Sequence, residues 1–258
     1  MEKREGSPMQ QNPTVHPDSI DEEFRQYAEE MAIKKADEAL LAPNQLLSRS
    51  ALIERYKGEL LKEFQAFRKS QTHGAELLKS ALEELGTTSP ELFSDQVCSD
   101  IDRISNIQEL ISQDEQYYKE CMTKGMTLQE FAQVDNATMD LLYKAAKELI
   151  VKKRYDDAAD VFSFLVGLNG NNFAFYLGLA VSEFQRMRYK EALTHYSFIC
   201  QAWPESGNGY LGASRCYKAL HDIDSAIKVL DEGLNALTGH PEHQKWKALF
   251  TEEKVSLT

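Results

Sequence analysis

A spacing of 34 residues organises the second half of this chain. Tyr155-Asp-Asp-Ala158, Tyr189-Lys-Glu-Ala192 and Ile223-Asp-Ser-Ala226 follow one another at two successive steps of 34. Four residues beyond each alanine stand Phe162, Tyr196 and Leu230, and seven beyond stand Leu165, Ile199 and Gly233. The upstream halves agree: Tyr176-Leu-Gly-Leu-Ala180 recurs as Tyr210-Leu-Gly-Ala-Ser214, with Leu142 and Ala146 in the matching places of the first unit. Apolar residues at steps of three and four within a period of this length predict two helices per unit, A and then B. A small residue on A (Ala146, Ala180, Ser214) then faces a small residue on B (Ala158, Ala192, Ala226), which lets the backbones approach while larger side chains fill the surroundings. A stack of such pairs cannot end on an exposed apolar face. Pro241 can begin a covering helix whose Trp246, Leu249 and Phe250 form one apolar stripe, so Trp246 is read as structural.

This is the tetratricopeptide pattern, and it predicts an all-α protein. Three tetratricopeptide helix pairs span about 139–238 within an array region of 123–238. A capping helix and tail occupy 239–258, and a helical extension of 20–122 precedes the array. Pro204 stands where the repeat usually places its terminating proline, with Gly170 and Thr238 at the other two places. Residues 1–19 are polar, hold Pro8, Pro13 and Pro17, and read as a disordered tail. From Ile20 the helical period resumes in Phe24, Tyr27, Ala28, Met31 and Ala32, until Pro43-Asn44 breaks it. A second helix, starting near 44–50, carries Leu52, Ile53, Tyr56, Leu60, Phe64 and Phe67, with Gly74 in the polar break after it. A third runs from Ala75 to Leu85 and closes at Gly86. Ser89 and Pro90 open a fourth, with Val97, Ile101, Ile104, Ile107 and Ile111 on its apolar face.

Charge separates the two regions. Residues 1–130 carry 15 basic and 25 acidic side chains, against 14 and 16 in the remainder. The total of −12 argues against nucleic acid as partner, because phosphate binding draws on clustered Lys and Arg. Purely apolar runs such as Ala39-Leu40-Leu41-Ala42 are far too short for a bilayer, so no direct membrane insertion is expected. No apolar signal region follows MEKREGSP, which predicts a cytoplasmic protein. The four cysteines form no CxxC pair and read as reduced, partly buried thiols.

Other motifs dissolve on inspection. Gly207-Asn-Gly209-Tyr-Leu-Gly212 has the spacing of a dinucleotide fingerprint, but it follows a B helix instead of a strand, and Gly212 repeats Gly178. Helix packing is the simpler role. His240 and His243 lack a third ligand nearby and read as surface residues at a helix start. Acidic pairs such as Glu22-Glu23 and Glu83-Glu84 read as solvated faces. No catalytic site, cofactor or metal is expected.

What a tetratricopeptide stack offers is a concave groove lined by its A helices, into which positions 2, 5, 9, 12 and 13 of each helix point. With units starting at Met139, Phe173 and Gly207, these are Tyr143, Lys147, Ile150 and Val151, then Leu177, Val181, Phe184 and Gln185, then Asn208, Leu211, Arg215, Lys218 and Ala219. One wall is apolar and aromatic, the other basic, which suits an extended peptide with apolar anchors. For Tyr143 and Phe184 the competing reading is core packing between repeats.

The run from Gly125 through Leu237 resembles the class II chaperones of bacterial type III secretion systems. The resemblance is carried by Gly125-Met-Thr-Leu128, Leu142-Tyr-Lys-Ala-Ala146, Tyr155-Asp-Asp-Ala-Ala-Asp-Val-Phe162, Tyr176-Leu-Gly-Leu-Ala180 and the three-unit length. It implies a non-enzymatic, ATP-independent chaperone whose groove holds an extended N-terminal segment of a secreted translocator. It also implies dimerisation through helices ahead of the array. Tyr143 falls on a groove aromatic of that family, whereas Lys147 and Ile150 stand where it often has further aromatics, and residues 1–120 are an acidic extension that typical members lack. The alternative is a general tetratricopeptide adaptor. Its carboxylate-clamp form wants Lys and Asn, then Asn, then Lys and Arg at positions held here by Tyr143, Lys147, Val181, Leu211 and Arg215, of which only Arg215 fits.

Overall fold

The 34-residue period appears in the backbone as three stacked helix pairs: α7 (Asn136–Val151) with α8 (Tyr155–Leu168), α9 (Phe173–Gln185) with α10 (Tyr189–Ala202), and α11 (Gly207–Ala219) with α12 (Ile223–Ala236). The computed structural model describes residues 18–39 and 48–257. Ahead of the pairs stand α1 (Asp18–Ala39), α2 (Arg49–Thr88), a 3-10 turn (Pro90–Leu92), α3 (Asp95–Ser105), α4 (Ile107–Gln113), α5 (Glu115–Thr123) and α6 (Leu128–Phe131), and α13 (His243–Val255) follows them. No strand occurs among the described residues, so the chain is all-α. The tail expected before Asp18 and the break at Pro43-Asn44 lie outside the described residues, as do the side chains of Phe24, Tyr27, Phe64 and Phe67.

Each pair is closed the same way. Lys153, Met187 and His221 take left-handed backbone angles, with φ of 59°, 60° and 63°. One residue later, Arg154 N donates to Leu149 O at 2.8 Å, Arg188 N to Glu183 O at 3.0 Å and Asp222 N to Tyr217 O at 2.9 Å. This double-bonded stop satisfies the last carbonyls of each A helix and reverses the chain into B. Inside the pairs Ala146, Ala180, Ser214, Ala158, Ala192 and Ala226 are all fully buried, as the small-on-small contact requires. Glycines set the spacing between pairs. A Cβ on Gly178 would overlap the ring of Phe162, and one on Gly212 would overlap Tyr196. The fingerprint-like glycines are accounted for by packing: Gly207 lies under Trp246, Gly209 against Ile199 and Cys200, and Gly212 against Tyr196. Burial pushes the Cys200 and Cys216 thiols up to about 12.

The cap begins two residues after Pro241, because His240 turns the chain first: Glu242 N donates to His240 Nδ1 at 3.1 Å, and His243 N to His240 O at 2.9 Å. Trp246 and Phe250 then bury against Tyr210, Leu230 and Leu237.

The chain divides after Phe67 into two compact units. In the first, Ala28, Ala32 and Ala36 form a fully buried stripe on α1. Arg49 Nε donates to Asp37 Oδ1 at 2.6 Å and Lys57 Nζ to Glu29 Oε2 at 2.8 Å, so α1 and the start of α2 run antiparallel. In the second unit Leu78, Leu82, Val97, Ile104 and Ile107 share one core with Leu142, Phe162, Leu165 and Phe175. The later part of α2 and helices α3 and α4 therefore pack with the array, and the boundary expected after residue 122 falls in the last turn of α5.

Three local expectations need correction. The polar break at Gly74 is absent, and α2 continues through it to Thr88, past Gly86. Gly74 is there for close approach, since a Cβ would overlap the Asp160 carbonyl of α8, and Ser70 Oγ donates to Asp160 Oδ1 at 2.6 Å beside it. Ser89 makes no side-chain cap, while Ser94 Oγ accepts from Val97 N at 3.3 Å and opens α3. The fourth helix splits at Asn106, whose Nδ2 donates to Asp102 O at 3.0 Å in competition with the helical ladder.

The block from Gly125 to Leu128 is a stop followed by a start. Gly125 has φ of 76° and Met126 N donates to Cys121 O at 3.1 Å, which ends α5. Thr127 and Glu130 then form a reciprocal capping box on α6. Buried Gln129 ties this turn to the array, donating to Val134 O at 3.1 Å and Asn136 Oδ1 at 2.9 Å while its Oε1 accepts from Asn169 Nδ2 at 2.6 Å.

Candidate functional site

The A helices turn one face to their B partners and leave the other open. On α7, Leu142, Ala146 and Leu149 are buried, while Lys147 is exposed and Tyr143 and Ile150 are half-buried. The same alternation runs along α9 and α11. The open faces stand side by side, because α7 meets α9 and α9 meets α11.

Tyr143 is both packed and presented. Its ring centroid lies 6.1 Å from those of Phe162 and Phe175, two fully enclosed rings that fix its position. Lys147 Nζ sits 5.5 Å from the Tyr143 centroid and covers part of the outer face, a cation–π contact that keeps the ammonium in solvent. On α9, Leu177 and Val181 are half-buried. Phe184 turns toward Tyr189 at the start of α10, with centroids 5.3 Å apart and an edge-on approach, so part of its ring is spent on packing. Gln185 is exposed, and Val151 is 71% exposed at the A–B turn.

The third helix differs. Asn208 is exposed, and Leu211 is half-buried against the Tyr210–Leu230–Trp246 cluster. Arg215 and Lys218 are engaged by the cap. Arg215 Nε donates to Glu253 Oε2 at 3.0 Å, and Lys218 Nζ donates to Ser256 O at 2.9 Å and Ser256 Oγ at 3.0 Å. Helix α13 thus takes the place of a fourth A helix, with Trp246 over Gly207 and Glu253 beside the groove. Sequence reasoning left Glu253 and Ser256 out of the site. Counting the inward positions onward from Pro241 reaches Glu253, so the signal was present in the repeat itself.

One A-helix carboxylate lies inward of this face. Glu183 on α9 is buried, its Oε1 accepts from Arg186 Nη1 at 2.9 Å, and its Oε2 has no partner. Burial raises its pKa, against the opposing influence of Arg186 and Arg188. Arg186 Nε also donates to Asp156 Oδ1 of α8 at 2.7 Å, which bridges the first and second pairs. Among the described residues no cluster of three or more His, Cys, Asp or Glu could hold a metal, and no helix is long and apolar enough to cross a membrane.

No family model and no curated protein matches the chain. Solved structures do. A T3SS complex from Aeromonas hydrophila aligns over 55% of this chain and 94% of its own, at 18% identity and a TM-score of 0.50. The type III secretion translocator chaperone SycD of Yersinia enterocolitica aligns over 50% of this chain and 97% of its own, at 20% identity and a TM-score of 0.48. PcrH, a Pseudomonas aeruginosa protein solved with the chaperone-binding region of PopB, aligns over 46% and 96%, at 22% identity and a TM-score of 0.44. At these identities the likeness to the Aeromonas structure is one of fold, spanning about half of this chain.

Proposed function

We propose that this chain is a non-enzymatic, ATP-independent chaperone of the class II type III secretion kind, which holds a translocator subunit in the cytoplasm by taking an extended segment along its A-helix groove. The observation that carries the reading is the row of Tyr143, Leu177 and Val181 on neighbouring A helices, half-buried apolar side chains that pack on the core with one side and leave the other side open. Filling two or three such pockets offsets the cost of ordering an extended peptide. The residue blocks from Gly125 to Ala180 and the fold shared with the Aeromonas complex support the same reading. Helices ahead of the array supply a second contact, for self-association.

The test is direct. The chaperone-binding regions of PopB and PopD and the YopD peptide, each of which has been seen bound to a chaperone of similar fold, are titrated into the full chain by calorimetry with and without ATP. Saturable binding of at least one, indifferent to ATP, is expected. Absence of binding to all three sinks the translocator reading.

A further inference from the structure

The groove is not uniform along its length, and its asymmetry has a chemical meaning. Its first two helices present mainly apolar and aromatic side chains, with one cation, Lys147, laid over the Tyr143 ring, whereas the third presents Arg215 and Lys218 beside Leu211. Both are fixed by α13. Glu253, with a side chain only 12% exposed, takes Arg215 through Nε alone, and Arg215 remains 53% exposed. A guanidinium has five N–H donors in a planar fork, so the Nη side stays available to a second, parallel acceptor. Lys218 is held by neutral oxygens of Ser256, which orient the ammonium without cancelling its charge. Two cations therefore meet one carboxylate here, in a chain whose total charge is −12.

Resting on the groove reading above, we infer that this corner selects its ligand: the segment held in the groove carries a carboxylate side chain about three residues from an apolar anchor. Glu253 acts as a positioning residue, and Arg215 is the group that meets the ligand. The spacing follows from geometry. Adjacent helices pack about 8–10 Å apart and an extended chain advances about 3.3 Å per residue, so a side chain seated on Leu177 and Val181 puts the residue about three positions away beside Arg215. The occupant is a peptide with one apolar and one acidic determinant. A purely apolar segment leaves Arg215 unmatched, and a basic one meets it unfavourably.

Four fluorescent pools of twelve-residue peptides test this, each with one fixed Leu and with Glu or Gln fixed three positions before or after it. They are titrated against the full chain, Arg215→Gln and Leu177→Ala. A Glu pool is expected to bind about 5-fold more tightly than its Gln twin, as for a half-exposed ion pair, with the preference shrinking at 1 M salt. Arg215→Gln should bring the Glu-to-Gln affinity ratio to about one, a ratio read within the variant and therefore independent of any change in its stability. Equal binding of Glu and Gln pools overturns the acidic determinant and leaves the groove standing. Absence of binding by every pool, or binding indifferent to Leu177→Ala, overturns the groove and the inference with it.

Discussion

Asp100→Ala is expected to lower the unfolding free energy by about 3 kcal/mol, measured by denaturant titration, because it leaves four donors, the fully buried Thr138 hydroxyl among them, without their acceptor. Asp100 is fully buried on α3. Its Oδ2 accepts from Asp135 N at 3.0 Å and Thr138 Oγ1 at 2.7 Å, and its Oδ1 accepts from Gln96 Nε2 at 2.8 Å and from Arg103. Asp135 is the N-cap of α7 and makes no side-chain cap of its own. Asp100 therefore caps the first repeat from another helix and places a negative charge at the positive end of α7. Burial alone would raise its pKa, but the bonds from Thr138, Asp135 and Gln96 and the charge of Arg103 outweigh it and hold the carboxyl below its ordinary value. A depressed folded pKa contributes stability that is present above the unfolded value, about 3.9, and is lost as pH falls through the folded one. The variant's acid limb should accordingly be shallower than that of the wild type. A loss of less than about 1 kcal/mol would mean that α7 is capped by other means.

Gly178→Ala should cost about 2 kcal/mol, although alanine is the better helix former by about 1 kcal/mol. The added methyl would overlap the ring of Phe162, which is fully buried and has nowhere to move, and overpacking of that kind costs about 1–3 kcal/mol or somewhat more. Gly58 on α2 is the control. A Cβ there meets nothing within 4 Å, so Gly58→Ala should stabilise by about 0.5–1 kcal/mol. If both alanines act alike in thermal melts, close approach at Gly178 is not what sets the spacing of the pairs.

These residues also mark where the sequence could be read and where it could not. The repeat was legible because its determinants are local and recur: an alanine and a large apolar residue four positions on, at the same step in all three units. The open side chains Tyr143, Leu177 and Val181 followed from that step. Gly74 was misread because a single glycine looks alike whether it ends a helix or admits a neighbour, and only the Asp160 carbonyl across from it decides. Asp100 gave no local sign of its capping role, since the groups it serves at the start of α7 are 35 and 38 residues away. The bond of Arg215 to Glu253 spans a similar interval, and although the repeat puts Glu253 at an inward position of a fourth unit, the pairing itself depends on where α13 packs. The split at Asn106 turned on one side-chain amide competing with the backbone.

The central claim is that the concave A-helix face, and not the convex B-helix face, holds the ligand. Phe198 on α10 is the most informative control, since it is an exposed aromatic beside Trp203 and Tyr176 on the opposite face. The measurement is the affinity of the full chain for the PopB chaperone-binding region in three forms: unchanged, Leu177→Ala with Val181→Ala, and Phe198→Ala, with a thermal melt of each. The account predicts that the double variant loses about 1–3 kcal/mol of binding per anchor while its melting holds, and that Phe198→Ala binds as the unchanged chain does. Loss of binding in Phe198→Ala with none in the double variant would contradict it.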